Sequence, residues 1–97
     1  MKAIMLNPND NVATAIVDIP AGSLLEVQVD GRVRTVRTVQ DIPRGHKLAL
    51  TVLRKGESVI KYGEVIGVTM NVIDEGEHVH VHNVASRRGR RDLVRKR

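Results

Sequence analysis

The chain contains no cysteine, phenylalanine or tryptophan, and Tyr62 is its one aromatic residue. Without cysteine no disulfide can supplement the core, a composition that suits a reducing cytoplasm. No apolar run approaches the roughly 20 residues of a membrane span, and the apolar start Met1–Leu6 breaks at Asn7-Pro8, too short for a signal peptide. The expectation is a cytoplasmic protein with no membrane partner. A chain of 97 residues forms one domain that buries about two thirds of its unfolded surface, enough for a modest core.

The formal charge of +5 suggests nucleic acid until it is mapped. Met1 to Ser86 carries nine Lys/Arg against ten Asp/Glu, a net of −1, whereas Arg87 to Arg97 carries seven basic residues and one acid, a net of +6. The basic excess therefore lies in the tail. A tail of self-repelling arginines with little apolar content is expected to stay solvated and disordered. With no aromatic interleaved it offers no stacking platform for single strands, so nucleic acid is not expected as a partner. The domain is read as residues 1–84 and the tail as 85–97.

What replaces aromatics is a β-branched core: sixteen valines and seven isoleucines. Such side chains are stiff at χ1 and pack well on pleated surfaces, so the fold is read as mainly β, with at most one short helix. That helix could lie only between Asp10 and Val17, where Val12, Ala13, Ala15 and Ile16 suit a helical turn and a strand equally. Met1 to Leu6 reads as a first strand.

One unit recurs. Ile19-Pro20-Ala21-Gly22, Ile42-Pro43-Arg44-Gly45, Leu53-Arg54-Lys55-Gly56 and Ile73-Asp74-Glu75-Gly76 each place glycine three positions after an apolar residue, and another apolar residue (Leu25, Leu48, Val59, Val79) three positions after the glycine. With proline second and glycine fourth, the first two copies suggest type I turns. Spacings of 23, 11 and 20 residues are too irregular for a solenoid and imply short strands that turn corners repeatedly. Asp30-Gly31 marks a hairpin between Leu25–Val29 and Val33–Val39, with either a two-residue turn pairing Val29 with Arg32 or a bulged loop pairing it with Val33. Ser58 to Gly63 reads as a strand, with Val65–Val68 continuing after a turn.

The chemistry concentrates in Gly76-Glu77-His78-Val79-His80-Val81-His82-Asn83, which holds three of the four histidines. Strict alternation is a strand period, so His78, His80 and His82 are expected on one face roughly 6.6 Å apart, with Val79 and Val81 in a core. Imidazole carries protons near neutrality and is a common metal ligand. The row could bind metal, act as acid and base, or be a wet strand face. A His-x-His pair supplies only two ligands, and further ones must come from elsewhere.

Four segments in order, Asp10-Asn11-Val12-Ala13, Gly45-His46-Lys47-Leu48-Ala49-Leu50, Val59–Gly63 with Ile66-Gly67, and the histidine stretch, resemble the N-terminal domain of the altronate and galactarate dehydratase family across residues 2–84. The resemblance implies an SAF-type domain of the β-clip fold. It further implies a hydro-lyase that makes a 2-keto-3-deoxy sugar acid, in which this chain is the small subunit beside a large catalytic one and is inactive alone. A divalent metal, often iron in the family, would be held mainly by the large subunit, and the chain could also self-associate. The matching positions make His46, His80 and His82 candidate catalytic residues, with His80 and His82 as metal ligands. Asp10, Asn11, Gly45, Lys47, Lys61 and Asn83 become candidate substrate contacts, and His78 matches less securely. Many relatives begin with a histidine where this chain has Asn7. That departure keeps open a related lyase, sulfolactate sulfo-lyase, in which sulfite leaves instead of water. A binding module for sugar acids, or for RNA through the tail, is a third reading.

Overall fold

The computed structural model describes residues 2–86, so the basic tail from Arg87 onward lies outside the described residues. Nine short strands follow in order: β1 (Ala3–Ile4), β2 (Val12–Ala15), β3 (Leu24–Val29), β4 (Arg32–Arg37), β5 (Lys47–Ala49), β6 (Ser58–Lys61), β7 (Glu64–Thr69), β8 (His78–Val79) and β9 (Val84–Ser86). No helix occurs among the described residues; the ambiguous stretch after Asp10 is strand β2. None of the structure is a helix long and apolar enough to cross a membrane.

All pairings are antiparallel, in a four-stranded sheet β1-β2-β5-β8, a hairpin β3-β4 and a three-stranded sheet β6-β7-β9. The first sheet is the middle layer. Alternate residues of its two inner strands feed different cores: Ala13, Ala15 and Leu48 pack with Leu25, Val27 and Val36 of the β3-β4 hairpin. Val12 and Ala49 instead pack with Val59, Val79 and the half-buried Ile66 and Val84. A strand buried on both faces needs small or β-branched residues throughout, which is what the Val-Ala-Thr-Ala of β2 supplies.

The four glycine turns pair two by two. Ile19 bridges Ile42, and Leu53 bridges Ile73, through reciprocal backbone bonds of 2.8–2.9 Å, and all four side chains are at most 1% exposed. Spacings that looked irregular thus become two pairs separated by a linker. Each pair encloses a hairpin closed by a buried threonine. The Thr38 hydroxyl donates to the Pro20 carbonyl and accepts from Ser23 N, while Thr69 does the same with Arg54 and Glu57. The backbone of Gly22 donates to Thr38 O, and that of Gly56 to Thr69 O. The domain is built from two like halves, roughly residues 19–48 and 53–79.

The turns themselves differ from the expected type. In Pro43–His46 the His46 amide donates to Pro43 O at 2.9 Å and Gly45 has φ +84°, which places glycine third in a type II turn, not fourth in type I. Asp30-Gly31 and Tyr62-Gly63 all have positive φ, the type I′ geometry whose twist matches flanking strands. Val29 therefore faces Arg32 and Val33 is left exposed, and the strand expected through Gly63 stops at Lys61. The last strand among the described residues, β9, runs from Val84 to Ser86.

Gly56 and Gly76 share φ +82°, yet a Cβ at Gly56 meets nothing within 4 Å, whereas one at Gly76 would stand 1.9 Å from the Arg37 carbonyl oxygen. Gly56→Ala is expected to cost about 1–2 kcal/mol, the left-handed backbone penalty. Gly76→Ala adds a backbone clash and should cost more than about 3 kcal/mol, within the range of severe core lesions. Urea midpoints of the two variants test this; equal losses would mean that Arg37 does not press on Gly76.

Candidate functional site

The site forms where strand β5 lies beside β8. Leu48 faces His78 and Lys47 faces Val79, so continuing that register by one residue sets His46 opposite His80. Directly opposed strand residues have Cβ atoms about 4.5–5.5 Å apart, close enough for rings to touch. The His46 and His80 rings stack with centroids 3.9 Å apart and planes at 16°. His46 and His78 lie 5.0 Å apart, and their Nδ1 and Nε2 atoms approach to 2.8 Å. A contact that short requires one nitrogen to donate and the other to accept, so at least one lone pair is held toward the cluster.

The row of alternating histidines ends early. Strand β8 stops at Val79 because Asn83 folds the chain back: its Oδ1 accepts from His80 N at 2.9 Å, and its Nδ2 donates to His78 O at 2.8 Å. The His80 carbonyl in turn accepts from Asn83 N and Val84 N, each at 3.1 Å. Val79 is fully buried as expected, but Val81, expected beside it in the core, is 78% exposed at the tip of the turn. His82 is exposed too, although its ring returns to within 5.1 Å of the His78 ring.

The metal-competent group among the described residues is accordingly His46, His78 and His80, one nitrogen from each lying within 4.8 Å of the others; His82, expected to pair with His80, is outside it. The Nδ1 of His80 is buried with no hydrogen-bond partner. Burial, then the electrostatic effect of His46, Lys47 and His82, holds the His80 pKa below its ordinary value. Burial, then His82, His46, His80 and Lys47, does the same for His78. Lys47 is lowered by burial and by Lys61. Among the causes acting on these three groups none is a carboxylate. Glu77, the nearest acid in sequence, spends an oxygen on the Asp74 amide at 3.0 Å, capping its turn.

A cavity of about 140 Å³ opens beside His80, lined by Lys47, Ile66, Val81, Val84 and Ser86. Ligand pockets usually measure about 300–1,000 Å³, so this one admits part of a six-carbon acid but cannot enclose it.

The remaining sequence-derived candidates sit elsewhere. Asp10 is buried, with Oδ1 accepting from Gly63 N at 2.7 Å and Oδ2 from Leu6 N and Asn7 N, each at 3.3 Å. Asn11 bonds Ile60 N at 2.7 Å and Ser58 O at 2.9 Å. Together they fasten the loop before β2 to the β6-β7 hairpin. Gly45 faces open space, and Lys61 lies over the Tyr62 ring at 4.9 Å while its charge acts on Lys47. Asn7 rests its amide against Gly63. Sequence reasoning missed Thr14, which faces Lys47 and whose buried hydroxyl has no partner among the described residues. Its place in an otherwise Val-Ala strand was the available signal.

These features define a small β domain presenting an imidazole cluster beside a half-buried lysine. The profile of the altronate/galactarate dehydratase SAF domain matches residues 1–87. The chain is 48% identical to an altronate dehydratase of Escherichia coli over 86% of its own length, and 39% identical to one from Bacillus subtilis over 82%. It spans only 16% and 15% of those two proteins. It is also 42% identical, over 88% of its length, to the (2R)-sulfolactate sulfo-lyase subunit alpha of Chromohalobacter salexigens, of which it spans 94%. The chain belongs to the altronate/galactarate dehydratase SAF domain family.

The depressed histidines make a stability prediction. Between their ordinary value of about 6.5 and their lower folded values, the unfolded chain binds protons that the folded chain does not. Stability therefore rises with pH across that window and is lost as pH falls below about 6.5. Urea midpoints at pH 7.5 and 5 should show this fall, reduced in His80→Gln. A midpoint that is higher at pH 5 would contradict the neutral cluster.

Proposed function

We propose that this chain is the small subunit of a lyase that expels a leaving group from a hydroxy acid, with water lost from a sugar acid as the leading reading. The imidazole and lysine cluster carries this reading, since it combines proton-transfer groups with uncompensated positive charge. The near-complete span of a relative named as a subunit supports the separate-subunit role.

Removing a proton beside a carboxylate builds an enediolate, and the expelled hydroxyl must receive a proton to leave as water. Positive charge at the developing enediolate lowers that barrier. Lys47, half-buried beside the cavity, would hold the substrate carboxylate, with Lys61 adding to the field at that point. His82, outside the trio but with its ring 5.1 Å from that of His78, would move a proton beside the cluster. The donor set fits a divalent cation: three imidazoles offering one nitrogen each within 4.8 Å of the others, and a buried Nδ1 of His80 with no hydrogen-bond partner among the described residues. Such an ion would be held by His46, His78 and His80 and would supply Lewis-acid polarisation. The cavity's small size supports a site completed by a larger partner.

Loss of sulfite instead of water is the second reading, favoured by the span of the sulfo-lyase alpha subunit. Co-expression with a large dehydratase-like subunit decides. The isolated chain should be inactive, and the complex should dehydrate a sugar acid without releasing sulfite from sulfolactate. His80→Ala and His82→Ala should each lower kcat at least about 100-fold, in the range of a lost general acid or base, while both variants stay folded. Lys47→Gln should raise KM about tenfold or more. Turnover by the chain alone, or full activity in both histidine variants, would overturn the subunit reading.

A further inference from the structure

We infer that this chain binds one divalent, nitrogen-preferring metal ion by itself, on His46, His78 and His80. The inference rests on the lyase reading only for what the metal does, not for whether it binds. It departs from the expectation that a large subunit holds the metal and that His82 is a ligand.

Three observations carry it. First, one nitrogen from each ring lies within 4.8 Å of the other two before any ion is present. The three are fixed by framework: His46 by its type II turn and the bond from Ala15 N to its carbonyl, at 2.8 Å, His78 by its place opposite Leu48, and His80 by the Asn83 bracket. A site on such supports loses little entropy when it closes on an ion. Second, His46 Nδ1 and His78 Nε2 stand 2.8 Å apart. Two nitrogens on a tetrahedral ion, each about 2.0–2.1 Å from it, are about 3.4 Å apart, so a small ring rotation exchanges the shared proton for a metal. Third, the buried Nδ1 of His80 has no hydrogen-bond partner among the described residues. A buried polar group left unsatisfied is destabilising, and an ion held on that nitrogen would satisfy it.

The donor set also selects the ion. Three imidazoles with no carboxylate favour ions such as Fe²⁺, Co²⁺, Ni²⁺ or Zn²⁺ over Mg²⁺ and Ca²⁺, which prefer oxygen. Three protein ligands leave at least one coordination position open, as in catalytic metal sites. With Lys47 and Lys61 close by, the open position suits an anionic oxygen donor, the carboxylate of a hydroxy acid.

The test is titration of the purified 97-residue chain with Co²⁺, read by visible absorption. One equivalent should produce ligand-field bands that Zn²⁺ abolishes and a hundredfold excess of Mg²⁺ leaves unchanged. His46→Asn, His78→Asn and His80→Asn should each weaken binding at least about 100-fold, and His82→Asn by less than about threefold. Because a variant could fail to fold, wild-type chain is also titrated with Zn²⁺ and followed by NMR of the imidazole Cε1–H resonances; three should shift and that of His82 should not. Absence of bands at millimolar Co²⁺, displacement by Mg²⁺, or equal dependence on His82 would overturn the inference. Metal binding by a chain whose complex shows no lyase activity would instead sink the function and leave the site standing.

Discussion

The register that sets Leu48 of β5 opposite His78 of β8 is the contact on which the site depends. It brings together residues 32 positions apart, and a slip by one residue would turn the imidazoles to the other face and the valine of β8 out of the core. The register is held from both sides. Leu48 and Val79 are fully buried on opposite faces of the central sheet, so neither can move without opening one of two cores. Truncating either should cost on the order of 2–4 kcal/mol in a domain whose whole stability is expected near 5–15. The chemistry is thus tied to the best-packed part of the chain.

That packing is achieved without large rings. A core lacking phenylalanine and tryptophan is filled by short branched side chains, and these fill space only if layers approach closely. Paired glycine turns allow it: the bridges Ile19–Ile42 and Leu53–Ile73 pull each half onto the central sheet, and Asp18 and Asp41 reinforce the first pair by each accepting, at 2.8 Å, from a backbone amide of the opposite turn. The second pair is capped instead within each turn, by Glu57 and Glu77. Glu77 is thereby fixed to its own turn and kept from neutralising the histidine that follows it.

Much of this was legible in the residues. The apolar-x-x-Gly-x-x-apolar unit marked eight positions, and all eight are buried. What period and spacing could not convey was the partnering of the copies, because the two hairpins between them differ in length and conceal the likeness of the halves. Thr38 and Thr69 lay in plain view, each four residues before a bridging isoleucine, and only their hydroxyl bonds reveal why. The histidine stretch shows the limit of periodicity: His78-Val79-His80-Val81 alternates perfectly, yet Asn83 three residues after His80 makes a side-chain turn that outcompetes the strand. The same residue read as a substrate contact is the one that shapes the turn. His46 was singled out through family resemblance, but its stacking on His80 depends on pairing between distant strands, which no local pattern encodes.

The central claim is that His46, His78 and His80 gather into one set in which His78 and His80 are neutral, and are not a row of separate, exposed side chains. Nitrogen-15 NMR of the imidazoles at pH 7 tests it most directly. The account predicts neutral His78 and His80, with one N–H shared between His46 Nδ1 and His78 Nε2. Doubly protonated His78 or His80 at that pH would contradict it, because like charges would then drive the rings apart and leave nothing to converge on a ligand.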